Sequence, residues 1–459
     1  MLDSVLVWID KNRRAWLDDL KQWLSIASVS ADPQHAADTA AAAEWAMYYL
    51  RGAGMQTKLL ATPGHPSVLA VTPEGLYPPG APHVLFYGHY DVQPPEPLDK
   101  WLSPPFSPAQ RDGRLFARGA SDDKGQVFCH MAALVAWKQI AMQIPVRLTV
   151  LLEGEEEIGS IHLRSVLEAE REALASASTV IISDSSQFAP GIPAITTGLR
   201  GLVYYQITLT GANQDLHSGV YGGAVANPAN ELCQLLGRLH DASGRVTIPH
   251  FYDNIIAVEE AVREQWEKLP FSESDFARGL GLEALRGEPG YSTLERRWCR
   301  PTVDINGLTS GYQGAGAKTV LPAVASAKVS MRLVPGQNPA EICANFEAFF
   351  RAACPPGVKL SLECLSASPA ALTPSDSPAV RAAMAALEIG FGKSPVLMRE
   401  GGSIPVVNWF KEILGIDSVL VGFGLPDDNL HAPNEKLDLD CLYGGIRTAA
   451  ALYDKIAGN

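Results

Sequence analysis

The sequence predicts an α/β protein with a largely parallel central sheet, flanking helices and a smaller inserted α+β domain. Short, almost uninterrupted apolar runs recur along the chain, at 83–87, 147–152, 179–183 and 418–423. Such runs are typical of strands that are covered on both faces, and the helical stretches between them favour parallel pairing. In the middle of the chain, the segments 202–210 and 324–333 instead alternate apolar and polar residues. This alternation indicates a second sheet with one solvated face.

The other elements follow in chain order. The first 20 residues scatter charges among apolar residues at helical spacing, which predicts an amphipathic surface helix rather than a secretion signal. Further helices and one more strand are predicted as follows: helices at 39–53, 127–139, 227–239 and 339–353, and a strand at 358–364. We place the domain borders near 198 and 370. The first domain is then discontinuous, with residues 1–197 and 371–459, and the inserted domain has residues 198–370.

Composition limits the class of protein. With 47% hydrophobic and 19% charged residues over 459 positions, the chain resembles an ordinary globular protein. Its net charge of −13 disfavours binding to nucleic acid or to anionic lipid, and no apolar run reaches the ~18 residues of a membrane span. The seven cysteines are an odd number without a CxxC pair, which indicates reduced thiols. We therefore expect a cytoplasmic protein.

Potential metal ligands follow the apolar runs. The run at 83–87 leads into His89, the run at 147–152 leads into an acidic turn that ends at Glu157, and the run at 179–183 leads into Asp184. The run at 418–423 leads, through a short loop, to His431. A further aspartate, Asp122, lies in a glycine-flanked turn before the helix at 127–139. Since ligands of open α/β sheets bind at the carboxyl ends of the strands, these side chains are expected to converge. Imidazole and carboxylate groups suit zinc, and also manganese or cobalt.

Each of these signals has an ordinary structural explanation. His89 alone could be a loop histidine, the EGEEE run a solvated turn, Asp122 a helix N-cap and Asp184 a turn residue. Against this, the EGEEE run directly follows a buried strand, so some of its carboxylates begin at the sheet edge. Asp91, two residues after His89, projects to the same side and could orient its imidazole. The joint occurrence of ligand-type residues at four strand exits favours a two-metal site.

Five motifs carry a resemblance to a known family: GHYDVQP, RGASDDKG, EGEEEIGS, ISDSS and DDNLHAPNEK. In this order they resemble the co-catalytic zinc metallopeptidase family of carnosinases, cytosolic nonspecific dipeptidases, carboxypeptidase G and aminoacylases. The resemblance extends from about residue 85 to the C-terminus. The blocks DLHSGVYGG, GAGAKTVLPA, MRLVPGQ and REGGSIPV are similar to the dipeptidase branch. The resemblance implies a di-zinc exopeptidase-like catalytic domain with an inserted lid and dimerisation domain.

The family pattern implies a role for each residue of the site. His89 and Asp184 would hold one ion, Glu157 and His431 the other, and Asp122 would bridge the two, followed by a cis peptide bond to Asp123. Glu156 would be the general base. Asp91 would orient His89. Glu155 adds another carboxylate beside the site, so the general base could be the neighbouring Glu155 instead of Glu156.

The resemblance also implies substrate contacts in the inserted domain. His217 would stabilise the oxyanion in the active site of the neighbouring subunit of a homodimer, although it could instead be an ordinary loop residue. Arg332 would bind the substrate carboxylate, and a surface salt bridge is the alternative. The remaining candidate substrate-binding residues are Thr319, Glu400, Gly401, Gly402 and Ser403. No histidine lies between His250 and His431, although some dipeptidase relatives have a second lid histidine there.

The function expected from these residues is metal-dependent hydrolysis of the amide bond of dipeptides or short peptides with a free carboxyl end. Two divalent ions would activate a water molecule, and Glu156 would accept its proton. An N-acyl-amino-acid deacylase could use the same site and is the first alternative. A catalytically silent metal-binding scaffold is the second, and no sequence feature favours it.

Overall fold

The computed structural model describes residues 1–402 and 404–458. The chain forms two compact units. The first comprises Met1–Thr197, Thr373–Met398 and Val406–Asn459, and the second comprises Gly198–Leu372 and Arg399–Pro405. The segment Arg399–Pro405, which the sequence-based borders assign to the first domain, therefore belongs to the second unit.

The strands of the described chain alternate with helices in the first unit and cluster in the second. In chain order they are β1 (Gln56–Leu60), β2 (Ser67–Val71), β3 (His83–His89), β4 (Ala109–Arg111), β5 (Arg114–Phe116), β6 (Arg147–Glu153), β7 (Thr179–Ile182), β8 (Ala194–Leu199), β9 (Gly201–Thr210), β10 (Leu216–His217), β11 (Thr302–Ser310), β12 (Val320–Leu321), β13 (Val324–Leu333), β14 (Lys359–Ser368), β15 (Ala371–Leu372), β16 (Val396–Glu400), β17 (Ser418–Val421) and β18 (Lys436–Asp438).

The α-helices vary from single turns to nineteen residues. They are α1 (Leu2–Lys11), α2 (Arg13–Leu24), α3 (Ala36–Gly52), α4 (Lys124–Ala141), α5 (Leu163–Ala169), α6 (Arg171–Leu174), α7 (Ser218–Tyr221), α8 (Pro228–Leu236), α9 (Glu260–Glu267), α10 (Glu273–Gly279), α11 (Thr293–Trp298), α12 (Pro339–Ala353), α13 (Pro378–Phe391), α14 (Pro405–Trp409) and α15 (Leu439–Ala457). Single 3-10 turns occur at Pro33–His35, Leu98–Lys100 and Glu156–Ile158, and a π-helical turn at Phe410–Leu414.

The central sheet of the first unit has the order β1-β2-β6-β3-β7-β17-β8, and β16 pairs with β8. Its middle strands β6, β3, β7 and β17 run parallel, while β1, β2 and β8 are antiparallel to their neighbours. The parallel strands are buried almost along their whole length because helices cover both faces. The predicted α/β fold class with parallel central strands is confirmed.

Helix α4 is buried along most of its length. Apolar and small residues surround its axis, and it packs against α15, α1, α2 and α3. Even its first residue, Lys124, is inaccessible to solvent, and its ammonium group donates hydrogen bonds to the carbonyl groups of Trp23 (3.2 Å) and Ile26 (2.8 Å). The N-terminus of α4 and the preceding loop are therefore fixed in place by the core.

The second unit contains an antiparallel sheet of order β11-β13-β9-β14. Alternate residues of β9 and β13 are buried against α8 and α12, which supply Leu232, Leu235, Phe346 and Phe350 to one apolar core. The alternation of apolar and polar residues in the sequence thus corresponds to a sheet with one face covered by helices and one more polar face, as predicted for an α+β unit. None of the helices in the described parts of the chain is long and apolar enough to cross a membrane.

Candidate metal centre

The predicted ligands lie at the carboxyl ends of the parallel strands of the first unit. His89 is the last residue of β3, Glu157 lies in the 3-10 turn after β6, and Asp184 follows β7 by two residues. Asp122 lies two residues before α4, and the peptide bond that follows it is cis, as the resemblance implies. His431 lies in the loop after β17 with a left-handed φ of 59°. The sheet topology brings together side chains from five separate segments.

These side chains form two groups that share Asp122. One group is His89, Asp122 and Asp184, the other is Asp122, Glu157 and His431, and within each group the ligand atoms lie within 4.8 Å of one another. His89 Nε2 lies 3.1 Å from Asp122 Oδ1, and His431 Nε2 lies 3.0 Å from Asp122 Oδ2. Each carboxylate oxygen of Asp122 therefore faces a different imidazole, which is the arrangement a bridging ligand requires.

The electrostatics of this cluster are those of crowded carboxylates. Burial raises the pKa of Glu157 to about 9 and that of Asp184 to about 7, and the charge of Asp122 adds to both shifts. Burial acts on Asp122 in the same direction, but hydrogen bonds from His431 and His89 outweigh it and hold the pKa of Asp122 well below its usual value. Its hydrogen bond to Asp122 is also the main reason why the pKa of His431 rises to about 9.

The donor set fits divalent cations. Buried carboxylates at this density are stable when paired with positive charge or bound to metal, and two imidazoles do not balance them. Two imidazole nitrogens and three carboxylates, arranged in two groups around a shared aspartate, match the ligand types of zinc and of its neighbours in the first transition row.

Asp91 connects the two halves of the cluster. Its backbone carbonyl and its Oδ1 lie 3.1 Å and 3.3 Å from His89 Nδ1, so that Nε2 is left to face Asp122. The same carboxylate accepts hydrogen bonds from the backbone N–H groups of Glu156 (3.2 Å) and Glu157 (3.1 Å). Ser30 Oγ donates a further hydrogen bond of 2.6 Å to Asp91 Oδ2. Asp91 is thus placed to set both the orientation of His89 and the conformation of the acidic turn.

The glutamates of the EGEEE run have different environments. Glu155 is buried and accepts hydrogen bonds from His162 Nδ1 (2.9 Å) and from the backbone N–H of His65 (3.0 Å). Glu157 Oε2 accepts one from Gln93 Nε2 (2.7 Å). Within the described residues, the carboxylate of Glu156 has no hydrogen-bond or ion-pair partner. Burial raises the pKa of Glu156. The charge of His89 opposes this rise, and the charge of Asp122 adds to it. Of the three, Glu156 alone has a carboxylate left available beside the ligand groups.

Two supporting residues, Arg118 and Glu435, have no role in the site predicted from the sequence. Glu435 is inaccessible to solvent, and its carboxylate accepts hydrogen bonds from the backbone N–H groups of Gly119 (2.9 Å), Ser121 (2.9 Å) and Asp122 (3.1 Å). Arg118 Nη1 donates to the same carboxylate at 2.7 Å. Glu435 therefore holds the loop that carries Asp122. The sequence offered only its position in the DDNLHAPNEK motif as an indication.

His217 and Thr319 lie near each other in the second unit. His217 is the last residue of β10 and pairs with Val320 of β12, the residue after Thr319. The Thr319 carbonyl accepts a hydrogen bond from the backbone N–H of Ser218 (3.1 Å). His217 Nδ1 accepts a hydrogen bond from the backbone N–H of Gly219 at 2.9 Å. A neutral imidazole that accepts at Nδ1 carries its proton on Nε2, so the exposed side chain of His217 can act as a hydrogen-bond donor.

The remaining predicted contacts also belong to the second unit. Arg332 lies on β13 opposite Thr302 of β11. Burial raises the pKa of Glu400, whereas the charges of Arg297 and Arg200 oppose this shift, so the carboxylate already lies close to cations. The Gly401 carbonyl accepts a hydrogen bond from Arg200 Nε (3.3 Å), and a Cβ at Gly401 would lie 2.7 Å from an Arg200 nitrogen. Gly402 has open space beside it, and Ser403 lies outside the described residues.

Comparisons with known proteins find one matching family and several similar dipeptidases. Residues 85–455 match the sequence model of peptidase family M20/M25/M40. The chain is 31% identical over 474 residues to the Cys-Gly metallodipeptidase dug1 of Schizosaccharomyces pombe, covering 99% of this chain and 98% of that protein. It is 30% identical over 473 residues to the human Beta-Ala-His dipeptidase, covering 100% of this chain and 93% of the relative.

The fold is similar to a solved relative over nearly its whole length. The structure of the dipeptidase Dug1p from Saccharomyces cerevisiae superposes with a TM-score of 0.82 at 29% identity, and covers 100% of this chain and 99% of that one. The fold of the chain is therefore shared with this dipeptidase.

Proposed function

The chain belongs to peptidase family M20/M25/M40, and from this membership we propose that it is a metal-dependent dipeptidase that hydrolyses the amide bond of dipeptides or short peptides with a free carboxyl end. The observation that carries the proposal is the sharing of Asp122 by two ligand groups, with the carboxylate of Glu156 beside them. The relatives named above are dipeptidases, which favours this activity over N-acyl-amino-acid deacylation.

In this proposal each residue of the centre has one task. His89 and Asp184 would hold one divalent ion, Glu157 and His431 would hold the other, and Asp122 would contribute to both. When bound, the two ions supply Lewis acidity and lower the pKa of water from ~15.7 towards ~7. Zinc suits the ligands best, and manganese and cobalt also fit them. Asp91 orients His89 through Nδ1 and so fixes its tautomer.

Glu156 moves the proton. Its carboxylate takes a proton from the attacking water and returns it to the leaving amine when the C–N bond breaks. Glu155 cannot share this task without losing its bonds to His162 and His65, which supports the assignment of the base to Glu156. Arg332 would bind the substrate carboxylate, and Thr319 would support this contact. Gly401 and Gly402 would let the substrate backbone approach closely, Ser403 would contact the substrate, and Glu400 would pair with its free amine.

A substrate comparison tests the proposed activity. With the purified enzyme loaded with zinc or manganese, we expect cleavage of Ala-Ala and related dipeptides and at least about tenfold lower kcat/KM for N-acetyl-alanine. Ala-Ala has a free amino group on the acyl side of the scissile amide, whereas N-acetyl-alanine has none there. The ratio of the two kcat/KM values therefore separates a dipeptidase from a deacylase. Cleavage of the N-acetylated compound alone would contradict the proposal.

We also propose a cytoplasmic homodimer in which His217 donates a hydrogen bond to the oxyanion in the partner's site. If so, a His217→Ala variant and a Glu156→Gln variant, each almost inactive, should complement each other after subunit exchange. Half of the dimers are then mixed and each mixed dimer has one intact site, so about a quarter of the wild-type activity should return. A His250→Ala variant, changed at an exposed histidine of the same unit, is the control and should be active by itself. No recovery in verified mixed dimers would contradict the shared site.

A further inference from the structure

The second unit contains a cavity of about 810 Å³ whose lining is rich in arginine. The charged residues that line it are Arg200, Arg286, Arg296, Arg297, Arg300, Arg332, Glu288 and Asp304. Six guanidinium groups against two carboxylates leave an excess of four positive charges, with His240 counted as neutral. The chain as a whole carries a net charge of −13. A cavity with a positively charged lining, in a protein whose net charge is negative, is suited to a small anion.

Part of this charge is already used in the wall of the cavity. Arg300 binds Glu288 through two nitrogens, at 2.7 Å and 2.8 Å, and its guanidinium lies 4.2 Å from the ring centroid of Tyr291. Arg245 adds a longer contact of 3.3 Å to Glu288. This bidentate pair is a fixed structural element, so Glu288 does not offset the charge of the other arginines.

Arg297 and Arg332, which also line the cavity, lie close enough to Arg200 to affect its charge. Burial, together with the charges of Arg332 and Arg297, lowers the pKa of Arg200 to about 10, against the opposing effect of Asp304. Nε of Arg200 is held by the Gly401 carbonyl, and Asp304 accepts a hydrogen bond from Thr302 Oγ1 at 2.9 Å. The positive charges of Arg297 and Arg332 therefore disfavour the charged form of Arg200, and all three side chains line the same cavity.

The carboxylates that line the cavity are fewer than its arginines. Asp304 lies within the cavity, and Glu400 lies beside it near Arg297 and Arg200. Even when Glu400 is added to the lining residues, the positive charges exceed the negative charges by three. A ligand with two carboxylates would relieve the repulsion, since the planar fork of arginine binds carboxylate oxygens in pairs.

We propose that this arginine cavity selects dipeptides with an acidic C-terminal residue, with Arg332 on the α-carboxylate and Arg200 and Arg297 on the carboxylate of a Glu or Asp side chain. The inference rests on the proposed dipeptidase function, in which Arg332 already binds the substrate carboxylate, and extends it to a second anionic group. A neutral C-terminal residue offers no second carboxylate to the arginine cavity and should be a poorer substrate.

The preference is measured with two nearly isosteric substrates, Ala-Glu and Ala-Gln. We expect the wild-type enzyme to have a kcat/KM at least about tenfold higher for Ala-Glu, as a charge-assisted hydrogen bond would give. Arg297→Gln should reduce that ratio to within about threefold of unity, and Arg200→Gln is a second variant at the more buried position. Arg278→Gln is the matched control because its side chain is 75% exposed and pairs with Asp275, so the ratio should not change.

Binding to the metal-free protein separates this inference from the proposed function. Calorimetry should detect glutarate but not butyrate, and Arg297→Gln should weaken glutarate binding by at least about tenfold. If no dipeptide is cleaved, the proposed function fails, whereas glutarate binding still supports the anion cavity. Equal kcat/KM values for the two dipeptides would overturn the preference. Inhibition by glutarate that does not compete with Ala-Glu would also overturn it, because the cavity would then bind a free dicarboxylate instead of the substrate.

Discussion

Replacing Glu156 by Gln is expected to lower kcat by about a thousandfold or more while two ions per subunit stay bound. Gln keeps the shape of the side chain but accepts no proton, so both the deprotonation of water and the protonation of the leaving amine lose their catalyst. The backbone N–H of Glu156, which donates to Asp91, is unaffected by the substitution. Turnover on Ala-Ala and metal analysis of the same preparation measure the two quantities together.

Glu155→Gln is the matched control for this experiment. Glu155 is the neighbouring glutamate, and its carboxylate bonds to His162 and to the backbone of His65. We expect this variant to unfold at a lower temperature, since a buried charge-assisted contact is weakened, but to keep kcat within about tenfold of the wild type. If Glu155→Gln lost turnover and Glu156→Gln kept it, the assignment of the base would be wrong by one residue.

The elements that carry the ligands were predictable because their patterns are local. The continuous apolar runs correspond to β3, β6, β7 and β17, and the 339–353 helix coincides with α12. Parallel strands buried on both faces need an unbroken apolar sequence, so such runs can be read without any knowledge of their partners. The side chains directly after them then share one edge of the sheet.

The supports of the site were not predictable because they depend on contacts between distant segments. Ser30 reaches Asp91 across 61 positions, and Glu435 reaches the backbone of Asp122 across 313. Ser30 lies in none of the motifs. Glu435 lies in DDNLHAPNEK, but the sequence does not show whether an acid binds backbone N–H groups or solvent. The segment Arg399–Pro405 was assigned to the other domain for the same reason, since its contact with Arg200 spans some two hundred residues.

Replacing Asp122 by Asn tests the centre as a whole. Asn keeps the size of the side chain but has one oxygen and no charge, so it cannot offer one anionic oxygen to each ligand group, as Asp122 does with Oδ1 towards His89 and Oδ2 towards His431. We expect the variant to bind less than one ion per subunit after dialysis against micromolar zinc, and to have activity at least about 10⁴-fold below the wild type.

Thermal unfolding provides a measurement that does not depend on activity. Ions that bind only the folded state stabilise it by about 2.7 kcal/mol each when their free concentration is a hundred times the Kd, so a chelator should lower the Tm of the wild type by several degrees. The Tm of Asp122→Asn should not respond to the chelator. Asp123→Asn is the control, because Asp123 is also buried, and within the described residues its carboxylate accepts a single hydrogen bond, from the backbone N–H of His89 (3.3 Å). The Tm of this variant should still fall. Two tightly bound ions in Asp122→Asn would show that Asp122 does not bridge, and loss of one ion alone would show that it binds a single site.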